Sequence, residues 1–433
     1  MSQKVIPTTP VAVLSSGHHG GLGIVRSLGR LGVPVYCVEA AWDPASSSRY
    51  CHGRFVLNIE NGRPDESVRS LLEIGRKLGR RPVLIPATDQ GAIWVAEHAA
   101  ILQDEFRFPS LNAGLVRGLS DKGRMQEIAH RSGVATAQSV IPRSQEDVKQ
   151  FLETAVFPVM VKATDAVRLR RRTGGTKFLV HTRAELLELY AQAEDRDEPN
   201  LLIQEFIPGE DWMFNGYFDQ ASRCRFGVTG KKIRRFPVNT GVTSLGICLP
   251  NETVHKTTTE FMRAIGYQGI LDIGYRRDSR NGQYKVLDVN PRIGCTFRLF
   301  AAADGLDVAR ALYLDLTGQP VLRKAPVDGR KWFVEDFDLF SALRSWREGS
   351  LSLKAWLRSF AGVEEAACFA LDDPLPLLMM GVADCCELFQ WARGQVAARL
   401  RASRSCAPPG PEKEYQSCAN QHVSGPEDSH STV

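Results

Sequence analysis

The residues of this chain best suited to chemistry are two aspartates that interrupt apolar strands. Asp272 stands in Gly269-Ile-Leu-Asp-Ile-Gly274, and Asp288 in Val286-Leu-Asp-Val-Asn290-Pro-Arg292. An unpaired carboxylate in such a setting is costly, so each needs a cation or hydrogen-bond donors. Asn290 follows Asp288 by two positions and shares its strand face, completing an all-oxygen set suited to Mg2+. Magnesium commonly binds through a few carboxylates together with substrate phosphates, which points to a nucleotide. The alternative is that both aspartates pair with nearby arginines. Two lysines weigh against that: Lys162 closes the apolar run Phe157-Pro-Val-Met-Val161, and Lys122 opens a helix in Ser120-Asp-Lys122. Either alone reads as a solvated surface group. With a glycine-containing loop and a carboxylate pair they form a phosphate clamp of point charges.

These residues need elements to hold them. The aspartates require a hairpin, Gly269 to Tyr275 and Tyr284 to Val289, joined by the polar turn Arg276 to Gly282. Lys162 ends the first of two short strands, Val159 to Lys162 and Lys177 to Val180. The loop between them carries Arg168, Arg170, Arg171 and Arg172 before Gly174 and Gly175. A helix from Arg183 to Ala193 then leads to a strand from Leu201 to Ile207. Strand-like runs at 213–218 and 224–229 follow, then a basic turn from Thr229 to Arg235 and a helix from Glu252 to Gly266. Upstream, the apolar run Val11 to Ser15, the glycine turn Ser16 to Gly23, a helical pattern to Leu31 and the strand Val33 to Val38 make a βαβ unit. A helix from Glu66 to Leu78 and a strand from Pro82 to Pro86 extend it. Residues 1–115 therefore read as a doubly wound domain whose loops Ser16 to Gly23 and Thr88 to Gly91 face a ligand crevice. The glycine turn lacks GxGxxG spacing, and Glu39 only partly matches an acidic ribose ligand. A tight turn offering N–H groups to an anion is therefore favoured over dinucleotide binding.

Composition sets the outer bounds. The 433 residues suggest two or three domains, and 43% hydrophobic with 24% charged residues is an ordinary globular balance that excludes wholesale disorder and fibres. Lys and Arg number 54 against 49 Asp and Glu, a net charge of +5. That excess is too thinly spread for a nucleic-acid partner. The ten cysteines form no CxxC pair and read as reduced thiols. The amino terminus has no apolar centre long enough for a signal peptide, and no stretch is long enough for a membrane span. A cytoplasmic protein is expected. Residues 330–401 are rich in Trp, Leu and Ala, with helices expected, and the tail from 402 is expected to be disordered.

Residues 119–300 resemble an ATP-grasp ligase, the superfamily that includes D-alanine–D-alanine ligase, glycinamide ribonucleotide synthetase and biotin carboxylase. The stations occur in family order: a Ser-Asp-Lys lysine, a strand lysine before a loop, the hinge Gln204-Glu-Phe-Ile-Pro-Gly-Glu-Asp211, and acid followed by acid-x-Asn. The glycine loop to Arg30, the arginine-rich segment and Phe369-Ala-Leu-Asp-Asp-Pro374 also look like a branch of ATP-dependent carboligases. The resemblance implies a multidomain α/β and α+β chain with an ATP-grasp fold. Its parts would be a Rossmann-like pre-ATP-grasp βαβ domain (1–115), an ATP-grasp domain (116–325), a helix-rich carboxyl-terminal annex (326–401) and a tail (402–433).

The resemblance also implies roles. Lys122 and Lys162 hold ATP phosphates; Asp272, Asp288 and Asn290 hold two Mg2+ ions, with Mn2+ as a substitute. Backbone groups of Glu205 and Ile207 meet the adenine edge, Gln204 its amino group, and Asp211 or Glu210 the ribose. Arg292 steadies the transferred phosphoryl group, and Lys231, with Arg234, sits where substrate contacts are often found. The sequence departs from the family at Asp288, where glutamate is usual, in the arginine-rich loop, and at Gln204, where many members carry a carboxylate. The implied reaction is activation of a small-molecule carboxylate by Mg·ATP as an acyl phosphate, followed by attack of an amine. The alternatives are a bicarbonate-phosphorylating, carboxylase-like enzyme and a non-catalytic ATP-binding module. No Ser/His/Asp or Cys/His arrangement is evident, and His18 and His19 read as substrate-loop residues. A homodimer is allowed, although nothing in the sequence sets the oligomeric state.

Overall fold

The computed structural model describes residues 5–59, 62–110, 112–163, 166–175, 177–195, 199–238, 241–322 and 325–382. The expected tail and the last part of the annex lie outside them. Contacts group the chain into two compact units. Among the described residues, one takes in those up to 138 and those from 206 to 382, and the other is Ser139–Glu205. The linear division of the sequence had kept 139–205 inside segment 116–325.

In the larger unit, Val11–Leu14 (β1), Val35–Glu39 (β2), Cys51–Val56 (β3) and Val83–Pro86 (β4) form a parallel sheet in the order β3-β2-β1-β4. β1 is buried throughout, as its unbroken apolar run requires when both faces are covered. Val11 and Val13 join a core with Leu22, Val25 and Leu28 of the helix His19–Gly29, while Ala12 and Leu14 join another with Val68, Leu71 and Ile74 of Pro64–Leu78. β3 was not anticipated, because half of its residues are exposed and Val56 is 68% so. The glycine turn is shorter than expected, since the helix begins at His19. Gly21 and Gly23 lie inside that helix and serve close packing: a Cβ there would stand 2.1 Å from the Ser16 carbonyl oxygen or 2.8 Å from the Phe297 ring.

The smaller unit has its own antiparallel sheet, built from Ser139–Val140 (β5), Val159–Ala163 (β6), Lys177–Val180 (β7) and Leu201–Glu205 (β8) in the order β5-β8-β6-β7. The arginine-bearing segment expected as a loop contains the helix Ala166–Thr173. Leu169 anchors it in the core, and Arg168 and Arg172 both reach Asp195, at 3.2 and 2.7 Å. Two of the four arginines are therefore neutralised within the unit.

The second sheet of the larger unit has seven strands: Gly209–Phe218 (β9), Cys224–Phe236 (β10), Val242–Cys248 (β11), Gly269–Asp278 (β12), Tyr284–Asn290 (β13), Lys331–Phe333 (β14) and Val363–Ala366 (β15). Their order is β13-β12-β9-β10-β11-β14-β15. The expected hairpin is β12 with β13. The basic segment Thr229 to Arg235 is not a turn. It continues β10, because a further strand, β11, pairs with it there. The annex supplies β14 and β15 as well as helices. With the two-residue period of a strand, Phe214, Phe218, Leu271, Ile273 and Tyr275 pack with Val254, Phe261 and Met262 of the helix Glu252–Ala264. Met213, Tyr217 and Ile270 belong to the opposite face and the larger core. Asn215 and Asp272 fall on that second face.

Salt bridges tie the annex to the first helix. Arg26 and Asp373 are 2% and 1% exposed and meet at 2.9 Å, while Arg26 also donates to the carbonyls of Ala367, Cys368 and Asp373. One turn on, Arg30 grips Asp372.

Candidate active site

Strand register sets Asn215, Asp272 and Asn290 in one row across β9, β12 and β13, with Asp288 opposite Gly274. Nδ2 of Asn290 donates to Oδ2 of Asp272 (3.2 Å) and of Asp288 (3.1 Å), and Nδ2 of Asn215 lies 3.4 Å from Asp272 Oδ1. Two glycines that the sequence did not single out make room for the acids. A Cβ on Gly274 would stand 2.6 Å from Asp288 Oδ1, and one on Gly294 would stand 2.5 Å from Asp272 Cγ. Burial raises the Asp272 pKa, the charge of Arg292 lowers it, Asp288 raises it and Lys232 lowers it, with a net upward shift. Among the described residues no group of three or more His, Cys, Asp and Glu gathers as a metal site. The donors here are two carboxylates completed by amides, a hard oxygen set that fits Mg2+ once the Asn290 amide turns its oxygen inward.

Arg292 does not pair with these aspartates. Its Nε and Nη2 grip the carboxylate of Asp89 at 2.9 and 3.2 Å, and Nη1 donates to the Ile293 carbonyl. Asp89 opens the helix Asp89–Glu97, whose cap is Thr88. Burial lowers the guanidinium pKa, but Asp89, Cys295 and Asp272 together raise it and the net shift is upward. A fork expected to steady a phosphoryl group thus already holds a carboxylate. Next to it the structure forms a Cys/His pair that the sequence did not reveal, from residues 277 positions apart: His18 Nδ1 lies 3.5 Å from Cys295 Sγ. His18 Nε2 bonds the Ala87 carbonyl at 2.8 Å, and Nδ1 accepts from the Gly20 amide at 3.0 Å. Burial pushes the Cys295 thiol up, while His18 and Arg292 pull it down to a net depressed pKa. His19 is half-buried at the first position of its helix. It packs against Trp332 and Phe337, and burial, then His18, lowers its pKa to about 3. The turn N–H groups offered to an anion are also engaged, with Gly17 donating to Glu39 at 2.8 Å.

The residues expected to bind nucleotide have partners of their own. In the smaller unit, Lys162 Nζ donates to Oε1 of buried Gln204 at 2.8 Å, and Glu205 ends β8. In the larger unit, Lys122 is exposed at the first position of the helix Lys122–Arg131, behind its Asp121 cap. The Ile207 carbonyl accepts from Arg276 at 3.1 Å. Asp211 is enclosed by Arg276 and Arg235, each at 2.7 Å, while the more exposed Glu210 pairs with Lys231. Arg234 is committed to buried Asp338, with Nε at 2.8 Å. The neighbouring Lys232, not singled out in the sequence, is the β10 lysine whose charge acts on Asp272. The cysteines among the described residues are free thiols, and no helix there is long and apolar enough to cross a membrane.

No family model matches the sequence. The D-aspartate ligase of Enterococcus faecium is 27% identical over 294 residues, covering 63% of this chain and 69% of that protein. The carbamoyl phosphate synthase large chain of Methanobrevibacter smithii is 24% identical over 175 residues, 39% of this chain but only 16% of that protein. Among solved structures, N5-carboxyaminoimidazole synthetase from Staphylococcus aureus, complexed with ADP, superposes with a TM-score of 0.57 at 15% identity over 75% of this chain and 81% of that one. L-amino acid ligase from Bacillus licheniformis superposes with a TM-score of 0.54 at 17% identity over 75% and 76%. The parallel sheet, the separate antiparallel unit and the hairpin bearing acid and acid-x-Asn agree with these likenesses, and the chain has the ATP-grasp fold.

Proposed function

We propose that the chain is an ATP-dependent carboxylate–amine ligase. The carrying observation is the part-buried, hydrogen-bonded cluster of Asp272, Asn290 and Asp288 with the Arg292 fork close behind it in sequence. The match to D-aspartate ligase over most of both chains supports it. A carboxylate oxygen of the acid attacks the γ-phosphorus of ATP, and the bond to the bridging oxygen breaks with release of ADP. The amine nitrogen then attacks the acyl carbon, phosphate leaves with the C–O bonding pair, and the nitrogen loses its proton. When bound, Mg2+ supplies charge neutralisation for the transferring phosphoryl group; two ions fit the family pattern, and Mn2+ serves as a substitute.

The chain's own residues position the reactants. Lys122 and Lys162 hold phosphates, Gln204 with the backbone of Glu205 and Ile207 reads adenine, and Glu210 or Asp211 takes the ribose. Asp272, Asp288 and Asn290 are the cation ligands. Arg292 steadies the acyl phosphate, and Lys231 contacts substrate. Amino acids are the first acids and amines to test. The assay is ADP and phosphate release from Mg·ATP over a panel of D- and L-amino acids, taken singly and in pairs, with D-aspartate included. Acid-dependent ADP release that rises on adding an amine is expected. A folded chain that releases no ADP with any acid would leave only nucleotide binding. The partial matches to carbamoyl phosphate synthase large chains favour a second reading, with bicarbonate as the phosphorylated acid. ADP release with bicarbonate and no amine would select it.

A further inference from the structure

Asn215 is fully buried in β9, inside the otherwise apolar or small run Met213-Phe-Asn-Gly-Tyr-Phe218, on the face that carries Asp272. Its two amide atoms are unequally satisfied. Nδ2 faces Asp272 Oδ1 at 3.4 Å, while Oδ1, equally buried, has no hydrogen-bond partner among the described residues. A buried carbonyl oxygen left without a donor keeps its full desolvation penalty. Leucine would fill a similar volume without that cost, so packing alone does not account for the residue type. Reversing the amide does not relieve it. The oxygen would then face the Asp272 carboxylate, and two oxygens in contact need a cation between them. In either orientation the side chain calls for a group that the described residues do not supply.

We propose that Asn215 is a working part of the cation site: a positioning residue whose Nδ2 holds Asp272 and whose Oδ1 is completed by the hydration shell of the bound divalent ion. Magnesium keeps several of its waters when a protein binds it, and such waters donate outward. Partners one step removed from a metal orient its ligands and set their affinity. The inference rests on the reading of Asp272, Asp288 and Asn290 as cation ligands, and adds a residue that the family pattern does not name.

The test uses the full chain and equilibrium binding of ADP by calorimetry, once with Mg2+ and once with EDTA. Wild type is expected to bind ADP more tightly with Mg2+. Asn215→Leu should lose about tenfold of that gain. Its affinity in EDTA should be unchanged, and its melting temperature should not fall, because the orphaned oxygen is gone. Asn215→Asp, which keeps an oxygen for the ion's waters but loses the Nδ2 donor to Asp272, should retain part of the gain. Should Asn215→Leu fail to fold, Asn215→Ala takes its place in the comparison. The inference is overturned if the amide-free variant keeps the full Mg2+ gain, if it loses affinity equally in Mg2+ and EDTA, or if Asn215→Asp behaves like it. If wild type itself shows no Mg2+ gain, the cation site and this inference fall together, whereas the first three outcomes remove the inference alone.

Discussion

Arg292 and Asp89 show how residue-scale geometry refines a role. A guanidinium that is 15% exposed and held on two donors by one carboxylate has a fixed orientation. Its remaining Nη edge is then aimed by Asp89 rather than by substrate. Removing the Asp89 charge with the isosteric Asp89→Asn should therefore lower kcat by about tenfold while leaving KM for ATP close to wild type. Arg292→Lys, which cannot grip two oxygens at once, should cost about a hundredfold. Steady-state rates with a saturating acid check both, and an unchanged kcat in Asp89→Asn would show that the pair is structural. The sequence carried the signal for one further residue that was passed over. Asn215 interrupts an apolar strand just as Asp272 does, and the same argument from uncompensated burial would have found it. Cys295 carried no such signal, because a thiol beside a histidine far away in the chain leaves no trace in local pattern.

At the scale of elements, the hairpin, the helix opened by Lys122, the helix Arg183–Ala193 and the first βαβ unit were all legible, because long periodic runs between turn residues leave little choice. What was not legible were segments whose polarity hides their pairing. β3 is half exposed, the basic stretch of β10 is a strand only because β11 lies beside it, and the arginine-rich segment turns helical around Leu169. Two short segments singled out in the sequence, the helix to Arg30 and Phe369 to Pro374, prove to be each other's partners through Arg26 with Asp373 and Arg30 with Asp372. The inner pair is almost wholly buried, so breaking it leaves a charge without compensation. Asp373→Ala should destabilise the fold by about 3–5 kcal/mol. Asp372→Ala, at a half-exposed pair, should cost about 1 kcal/mol or less. Denaturant unfolding of the two variants distinguishes them, and similar midpoints would mean that the annex is held by its apolar contacts instead.

Across the whole molecule, the small positive excess hides how many charges are internal. Arg26, Arg276, Arg298 and Arg330 are all at most 9% exposed and all matched by acids. Buried charges make stability depend on pH, with signs that can be worked out. Glu365, lowered on balance by Arg298 against its burial, and Asp278, pulled down to about 2 by Arg280, contribute stability above the ordinary carboxylate range and lose it as pH falls through their folded values. Burial raises Glu39, Glu335 and Asp336, which act in the opposite sense. Two histidines, His18 and His19, also contribute. His18 is raised, so its contribution is present at low pH and lost as pH rises through its folded value. His19 is lowered from 6.5 to about 3, so below 6.5 the unfolded chain takes up a proton that the folded chain refuses, and stability falls as pH falls. The largest slope one such group can give is about 1.4 kcal/mol per pH unit. Comparing wild type with His19→Gln cancels the titrating groups that do not sense His19, and the same comparison in a His18→Gln background removes the coupled neighbour. Whatever the substitution costs at pH 7, the stability difference between the two proteins should shift in favour of His19→Gln by up to about 1.4 kcal/mol for each pH unit below 6.5. Parallel stability profiles from pH 7 to 5 would show that His19 takes up its proton in the folded protein as readily as in the unfolded chain.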